Sequence, residues 1–146
     1  MNMTRTHITC LTIVAAVLAI APAAAQNASV AGVWRAREGT PTGLARGVTS
    51  SDVQTMYLTA DGQYRREIIS EGGNGVTTAA GKIIDTGTYR FTAPATFQYS
   101  RRSWIVCVPG ACKPGMAPPP NAGSLPFHLD GRGHAQFIGL MWTKLR

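Results

Sequence analysis

The sequence is poor in charged residues, and acidic residues are especially few. Only 14% of the 146 residues are charged, with 7 Asp and Glu against 14 Lys and Arg. A typical disordered chain would carry more charge and fewer apolar residues, so the composition excludes that class. The acidic residues are also scattered along the chain, which leaves no candidate pair of carboxylates for general acid–base catalysis.

Common catalytic and metal-binding motifs are missing as well. The chain has no Gly-X-Ser-X-Gly, no His-Glu-X-X-His and no phosphate-binding glycine loop. His128 and His134 would meet across a hairpin with a loop of three residues, but no Cys, Asp or Glu is placed as a further metal ligand. We therefore expect no catalytic residue, no metal site and no cofactor, and we do not expect an enzyme.

Helical periodicity is a further absence. No segment shows a sustained 3.6-residue apolar repeat, and 16 Gly and 9 Pro would interrupt the helices of a coiled coil or helical array. We expect no clear helix flanking the fold. The basic pairs Arg65-Arg66 and Arg101-Arg102 establish no continuous patch, because adjacent strand residues point to opposite faces. No nucleic-acid partner is expected.

Residues 1–25 have the three regions of a secretory signal peptide. Arg5 lies in a short polar start, residues 11–21 are almost entirely apolar, and Ala23-Ala24-Ala25 supplies the small residues before a cleavage site. The alternative is a retained membrane anchor, but polar residues and a proline interrupt the segment. Cleavage leaves 121 residues, 26–146, with a net charge of +6 because Arg5 is lost. We expect a periplasmic or secreted domain with no stable membrane anchor.

Two of the three cysteines remain in the exported chain, at the ends of Cys107-Val-Pro-Gly-Ala-Cys112. An even number of cysteines in an oxidising compartment predicts a disulfide, and the Pro-Gly turn between them would bring the sulfur atoms together. The alternative is a redox-active pair. Its spacing differs from Cys-X-X-Cys and no helix start follows, so we predict a structural bridge.

Strand signals recur along the exported chain. Two β-prone runs flank Asp61-Gly62, which is a strong hairpin signal, and Asp130-Gly131 joins a second pair of runs. The spacing of the runs is that of a β-sandwich or barrel with about eight strands. The runs are 32–35, 54–59, 63–69, 76–78, 82–91, 96–106, 126–129, 134–138 and 141–146.

Glycine and proline mark the segments between these strands. Residues 39–47 are expected to form a loop and residues 71–75 a turn, while Gly87 is expected to be a bulge or bend. The segment 107–124 holds five prolines and cannot pair as a central strand. It is either a surface excursion fixed by the disulfide, or a lid or recognition loop.

Several short motifs resemble those of small bacterial lipocalin-like proteins of the calycin type. The Gly32-Val33-Trp34 segment resembles the Gly-X-Trp of the first lipocalin strand, and the hairpin 57–64, the strand 85–91 and the C-terminal segment 142–146 are similar to parts of such domains. The resemblance covers most of residues 30–146. It implies an antiparallel up-and-down barrel with a ligand cavity at one end.

The resemblance also implies a structural contact at the first strand. Members of this family often pack a basic side chain across the indole of the Gly-X-Trp motif. In this sequence, Lys144 or Arg146 would make that cation–π contact with Trp34. The structural motif is therefore Gly32, Trp34 and one of these two basic residues.

Strand alternation places aromatic and basic side chains together on several strands. A mixture of Tyr and Arg at a barrel mouth would suit an amphipathic ligand with an anionic group. For each residue the alternative is ordinary core packing or a solvated arginine. Alternation also places Trp104 on one face with Arg102 and Val106. The candidate ligand-binding residues are Tyr57, Tyr64, Arg66, Tyr99, Arg101 and Trp104.

The sequence thus predicts an all-β, antiparallel lipocalin-like barrel of about eight strands with a Pro-rich loop. Its expected function is to hold a small apolar or amphipathic ligand in the barrel cavity. The alternative is a periplasmic protein-interaction module, such as an inhibitor of an envelope enzyme. A cavity would favour the first function, whereas a barrel packed solid would favour a protein partner at the rim or at the Pro-rich loop.

Overall fold

The computed structural model describes residues 23–41, 49–73, 78–92, 94–117 and 120–146. The predicted signal peptide lies almost entirely outside these ranges. Within them the chain forms a short helix followed by strands. These elements are α1 (Ala23–Val30), β1 (Gly32–Pro41), β2 (Thr49–Leu58), β3 (Gln63–Gly73), β4 (Thr78–Thr92), β5 (Thr96–Val108), β6 (Ala111–Pro114), β7 (Ala122–Leu129), β8 (His134–Phe137) and β9 (Leu140–Lys144).

Eight of the strands form a closed antiparallel barrel. Their order is β4-β3-β2-β1-β9-β8-β7-β5, and pairing between β4 and β5 closes the ring. The remaining strand, β6, pairs only with the C-terminal part of β5. The predicted all-β antiparallel barrel of about eight strands is therefore confirmed. Closure removes the unpaired strand edges that an open sheet would present to other chains.

The two Asp-Gly turns join neighbouring strands as predicted. In the first, Leu58 pairs with Tyr64 across the turn, and Gly62 adopts a φ of 87°, which glycine tolerates better than other residues. In the second, Leu129 pairs with Ala135, so five residues, 130–134, separate the paired positions, and not the three that would bring the two histidines together. His128 consequently lies opposite Gln136, and the two histidines do not face each other.

A β-bulge between β4 and β5 changes which side chains face the barrel interior. The register shifts between Thr86 and Gly87, leaving Arg102 without a partner residue on β4. The predicted irregularity at Gly87 is thus confirmed. Because one extra residue reverses the alternation, Trp104 lies beside Arg101 and not on the face of Arg102. The guanidinium carbon of Arg101 is 5.1 Å from the centre of a Trp104 ring.

The expectation that no helix flanks the barrel is wrong for α1. Val30 at its end is fully buried in the core, and Asn27 is 5% exposed. The side-chain Oδ1 of Asn27 accepts a hydrogen bond from the backbone N–H of Phe91 at 2.7 Å. Both residues follow the predicted cleavage site, so the exported chain would retain these contacts. The helix covers one end of a core made by Val30, Trp34, Ala36, Met56, Leu58, Tyr64, Tyr89, Phe91, Phe97, Phe127, Ala135, Phe137 and Trp142.

Asn27→Ala is expected to lower the free energy of unfolding by about 1–3 kcal/mol, because it leaves the buried N–H of Phe91 without an acceptor. Ser29→Ala is the matched control on the same helix. Ser29 is exposed and donates a hydrogen bond to the Gln26 carbonyl three residues earlier, so its loss is expected to change stability by less than about 0.5 kcal/mol. Urea denaturation followed by circular dichroism measures both. Equal effects would show that Asn27 does not fix α1 to the barrel.

The structural motif at the start of β1 joins the first and last strands. Lys144 Nζ lies 5.4 Å from the centre of the Trp34 ring. The backbone carbonyl of Arg146 accepts a hydrogen bond from Val33 N–H at 2.8 Å. A Cβ at position 32 would overlap that carbonyl oxygen, which explains the glycine there. Of the two basic residues considered, Lys144 is the one seen over the indole.

Two predicted loops contain more strand than expected. Residues 39–41 belong to β1, and the rest of the predicted loop, 42–48, lies outside the described residues. The segment 107–124 begins in β5, contributes β6 and ends in β7. The prediction that this whole segment stays outside the sheet is wrong. Strand β6 nevertheless pairs with β5 alone, and Pro114 is its last residue, so the proline does not stand in a central strand. Cys107 and Cys112 form a disulfide across this pair of strands.

Other sequence predictions fall partly outside the described chain. The predicted turn 71–75 begins within β3, which continues to Gly73, and residues 74–77 are not described. Of the predicted short strand 76–78, only Thr78 is described, and it is the first residue of β4.

Candidate functional site

A pocket of about 170 Å³ lies inside the barrel and is partly open to solvent. Its β4 residue, Asp85, lies nearer the N-terminal end of β4 than Tyr89 and Phe91, the residues that contact α1. Its polar residues come from the adjacent strands β3, β4 and β5. Its apolar residues come from β2, β5, β7, β8 and the turn after β8. The lining residues are Met56, Tyr64, Arg66, Asp85, Phe97, Tyr99, Arg101, Leu125, Phe137 and Ile138.

Four of these side chains form a charged cluster, defined here as Tyr64, Arg66, Asp85 and Arg101. Asp85 is 3% exposed and lies at the centre of the cluster. Its Oδ1 accepts hydrogen bonds from Tyr64 Oη at 3.0 Å and from Arg101 Nε at 2.9 Å. Its Oδ2 accepts a longer bond from Arg101 Nη2 at 3.3 Å and lies 3.5 Å from Arg66 Nη2. Asp85 therefore holds Arg101 by two bonds and Arg66 by one weak contact.

Local sequence explains how the cluster forms. Tyr64 and Arg66 are two residues apart on β3, so both point into the barrel. On β4, Gly87 pairs with Tyr64, and a Cβ at position 87 would lie 2.7 Å from Tyr64 Cε1. Glycine at this position therefore leaves room for the Tyr64 ring. The neighbouring bulge then places Arg101 beside Asp85.

The environment sets the charges of the cluster. Burial, together with the nearby Asp85 charge, raises the pKa of Tyr64, so its hydroxyl remains a neutral hydrogen-bond donor. Burial lowers the pKa of Arg66, partly offset by Asp85. Burial also acts to lower the pKa of Arg101, but its hydrogen bonds and attraction to Asp85 outweigh burial and raise that pKa. Two guanidinium groups thus face one carboxylate, leaving one positive charge in excess.

A short segment between β6 and β7 lies against the same cluster. We call residues 115–117 and 120–121 the strap. At its start, Gly115 N–H bonds to the carbonyl of Trp104 at 3.0 Å. At its end, the carbonyl of Pro120 accepts hydrogen bonds from Tyr99 Oη at 3.2 Å and Arg101 Nη1 at 3.3 Å. Arg101 therefore connects the strap to Asp85 inside the pocket.

The structure brings together four of the six candidate ligand-binding residues: Tyr64, Arg66, Tyr99 and Arg101 all line the pocket. Tyr57 does not, because it lies between the buried residues Met56 and Leu58 and so points to the other side of β2. Trp104 does not line the pocket either, but its ring packs against Arg101, which does.

Sequence reasoning missed Asp85 as a site residue. Alternation along β4 places it on the same face as Ile83, Tyr89 and Phe91. A lone carboxylate on this mostly apolar face was the available signal. The apolar lining residues Met56, Phe97, Leu125, Phe137 and Ile138 were also missed. Ile138 adopts a φ of 48° in the tight turn after β8, a conformation that is rare for a β-branched residue.

The described part of the chain contains no cluster of three or more His, Cys, Asp or Glu residues able to hold a metal ion. His134 instead bonds through Nδ1 to Asp130 Oδ2 at 2.9 Å in the turn before β8. None of the helices in the described ranges is long and apolar enough to cross a membrane. No family model, curated protein or solved structure matches the chain.

Proposed function

We propose that this protein is an exported small-ligand-binding protein that holds an apolar or amphipathic molecule in the barrel pocket. The observation that carries the proposal is the pocket itself. Apolar side chains and converging polar groups line one concave space, which is the usual composition of a small-molecule site. The closed barrel is also compatible with the lipocalin-like resemblance of the sequence.

Export to the periplasm or outside the cell is part of the proposal. The N-terminal segment has the pattern of a signal peptide, and the Cys107–Cys112 disulfide supports an oxidising compartment. A binding protein in such a compartment needs no catalytic group. In the charged cluster, Tyr64 and Arg101 both donate hydrogen bonds to Asp85.

Native mass spectrometry of the protein, purified gently from its own cell envelope, tests the proposal. We expect a small molecule to co-purify with the wild-type protein. Leu125→Trp should reduce its occupancy, because the larger side chain would fill the pocket that Leu125 lines. Met141→Trp is the matched control, since Met141 is 64% exposed and does not line this pocket. Recovery of bare wild-type protein would contradict tight binding of a small molecule.

A protein-interaction module is the second candidate function, and one observation favours it. Met116 in the strap is 95% exposed. Methionine is enriched at protein interfaces, so an exposed methionine here favours a protein partner. The same mass measurement separates the candidates, because a stoichiometric protein partner would appear in place of a small molecule. Met116→Ser would then weaken that complex and leave small-molecule occupancy unchanged.

A further inference from the structure

The charged cluster indicates which class of small molecule the pocket accepts. We infer that the ligand is a compact organic acid, with an anionic group bound at Arg66 and a ring-sized apolar body against the aromatic and aliphatic wall. This inference rests on the proposed function, since it names the ligand class of the same pocket. Four observations support it: hydrogen-bond geometry, charge, volume and the division of the lining.

Hydrogen-bond geometry singles out Arg66. Tyr64 and Arg101 donate to Asp85 at 2.9–3.3 Å. Arg66 approaches Asp85 only at 3.5 Å. Its Nε is buried and meets no hydrogen-bond acceptor among the residues that the structure describes. Arg66 therefore makes fewer hydrogen bonds to the described residues than Tyr64 or Arg101, so an acceptor bound at its guanidinium would stabilise the site.

Charge determines that this acceptor is an anion. The side chains lining the pocket carry two positive charges and one negative charge. Burial already disfavours the charged form of Arg66, and the neighbouring Arg101 adds to that effect. A carboxylate beside Arg66 would balance the excess charge and would accept charge-assisted hydrogen bonds, which are stronger than neutral ones. A cation would be repelled.

Volume limits the size of the bound molecule. The pocket measures about 170 Å³, and an apolar cavity of roughly 150 Å³ is large enough for benzene. An extended fatty-acid chain of a dozen carbons would not fit inside. The apolar lining is formed by Met56, Phe97, Leu125, Phe137 and Ile138. These side chains provide a surface for a planar ring or a short branched chain.

Calorimetric titration of the purified exported protein with three probes tests this ligand class. Benzoate has the expected size and charge, benzamide has the same shape without the charge, and laurate carries the charge on a long chain. We expect benzoate to bind about ten- to a hundredfold more tightly than benzamide, the range for hydrogen bonds to a charged group. Laurate should bind no more tightly than benzoate.

Two adjacent arginines supply a matched pair of variants. Arg66→Gln should bring benzoate affinity down to that of benzamide. Arg65→Gln should leave benzoate affinity unchanged, because Arg65 is 48% exposed and bonds to Glu67 on the outer face. Arg66→Lys keeps the charge without the planar donors and should retain an intermediate affinity. A thermal melt of each variant confirms that it is folded before titration.

The outcomes distinguish the ligand class from the proposed function. Equal binding of benzoate and benzamide, or tight benzoate binding by Arg66→Gln, would overturn the acid class but leave a ligand-binding protein. Tighter binding of laurate would overturn the size limit. If no probe binds, the molecule that co-purifies with the wild-type protein decides. A neutral molecule overturns the acid class, whereas an organic acid that co-purifies with the wild-type protein but not with Arg66→Gln supports it. Absence of both probe binding and any co-purifying molecule would overturn the class and the function together.

Discussion

Asp85→Asn is expected to lower the free energy of unfolding by about 3–5 kcal/mol, the largest effect of any single charge in the described barrel. The substitution keeps the size of the side chain but removes the only negative charge that lines the pocket. The Arg101 side chain is only 9% exposed, and the substitution would remove the carboxylate that balances its charge. Arg66, at 17% exposure, would lose its nearest anion as well. Urea denaturation followed by circular dichroism measures the loss.

Asp61→Asn is the matched control for this prediction. Asp61 is exposed in the first hairpin turn, and Asn-Gly is as favourable a hairpin sequence as Asp-Gly. The expected change is less than about 0.5 kcal/mol. Asp85→Asn combined with Arg101→Gln removes one charge of each sign, so we expect it to be less destabilised than the sum of the single variants. Additive losses would show that Asp85 and Arg101 do not stabilise each other.

The same variant connects stability to ligand binding. Loss of Asp85 raises the excess positive charge of the pocket from one to two, so an anion should bind Asp85→Asn more tightly than the wild-type protein. Benzoate should therefore raise the thermal midpoint of Asp85→Asn more than that of the wild-type protein, because a ligand stabilises the folded state by mass action. Benzamide should raise neither midpoint by a comparable amount.

The parts of the fold that follow from local chemistry could be predicted from the sequence. Asp61-Gly62 and Asp130-Gly131 each predict a turn between two paired strands, because glycine tolerates the positive φ that such turns require. Gly87 likewise marks the irregularity opposite β5. Alternation then brings Tyr64 and Arg66 to one face of β3, and Tyr99 and Arg101 to one face of β5. These four residues were candidates for that reason.

Features that depend on tertiary contacts could not be predicted in this way. The extra residue of the bulge, Arg102, changes the face of Trp104, and nothing in the local sequence identifies which residue is left unpaired. Helix α1 has only eight residues, too few for helical propensity to stabilise it alone. It is held by burial of Val30 and the hydrogen bond of Asn27 to Phe91. Such contacts exist only once the barrel has closed.

The buried Trp34 of β1 is the subject of the second large prediction. Trp34→Ala is expected to lower the free energy of unfolding by about 3–5 kcal/mol, the usual cost of deleting a buried aromatic ring. Trp34 is 1% exposed. Its ring packs edge-on against Phe127 at 5.7 Å between centroids, and its Nε1 donates a hydrogen bond to the Val30 carbonyl at 2.8 Å. It therefore connects β1, β7 and α1.

Graded variants divide this effect among its causes, and they remain informative if Trp34→Ala fails to fold. Trp34→Phe keeps a ring but removes the indole N–H, so we expect a loss of about 1–3 kcal/mol from the smaller ring and the unpaired Val30 carbonyl. Lys144→Gln removes only the cation 5.4 Å from the ring centre, at a cost of about 0.5–1 kcal/mol. Circular dichroism follows unfolding in each case, since the substitutions alter tryptophan fluorescence directly. If burial of the ring dominates, the loss of stability is largest for Trp34→Ala, smaller for Trp34→Phe and smallest for Lys144→Gln. If Lys144→Gln is as damaging as Trp34→Phe, the cation contributes as much to stability as the larger ring and the indole hydrogen bond together.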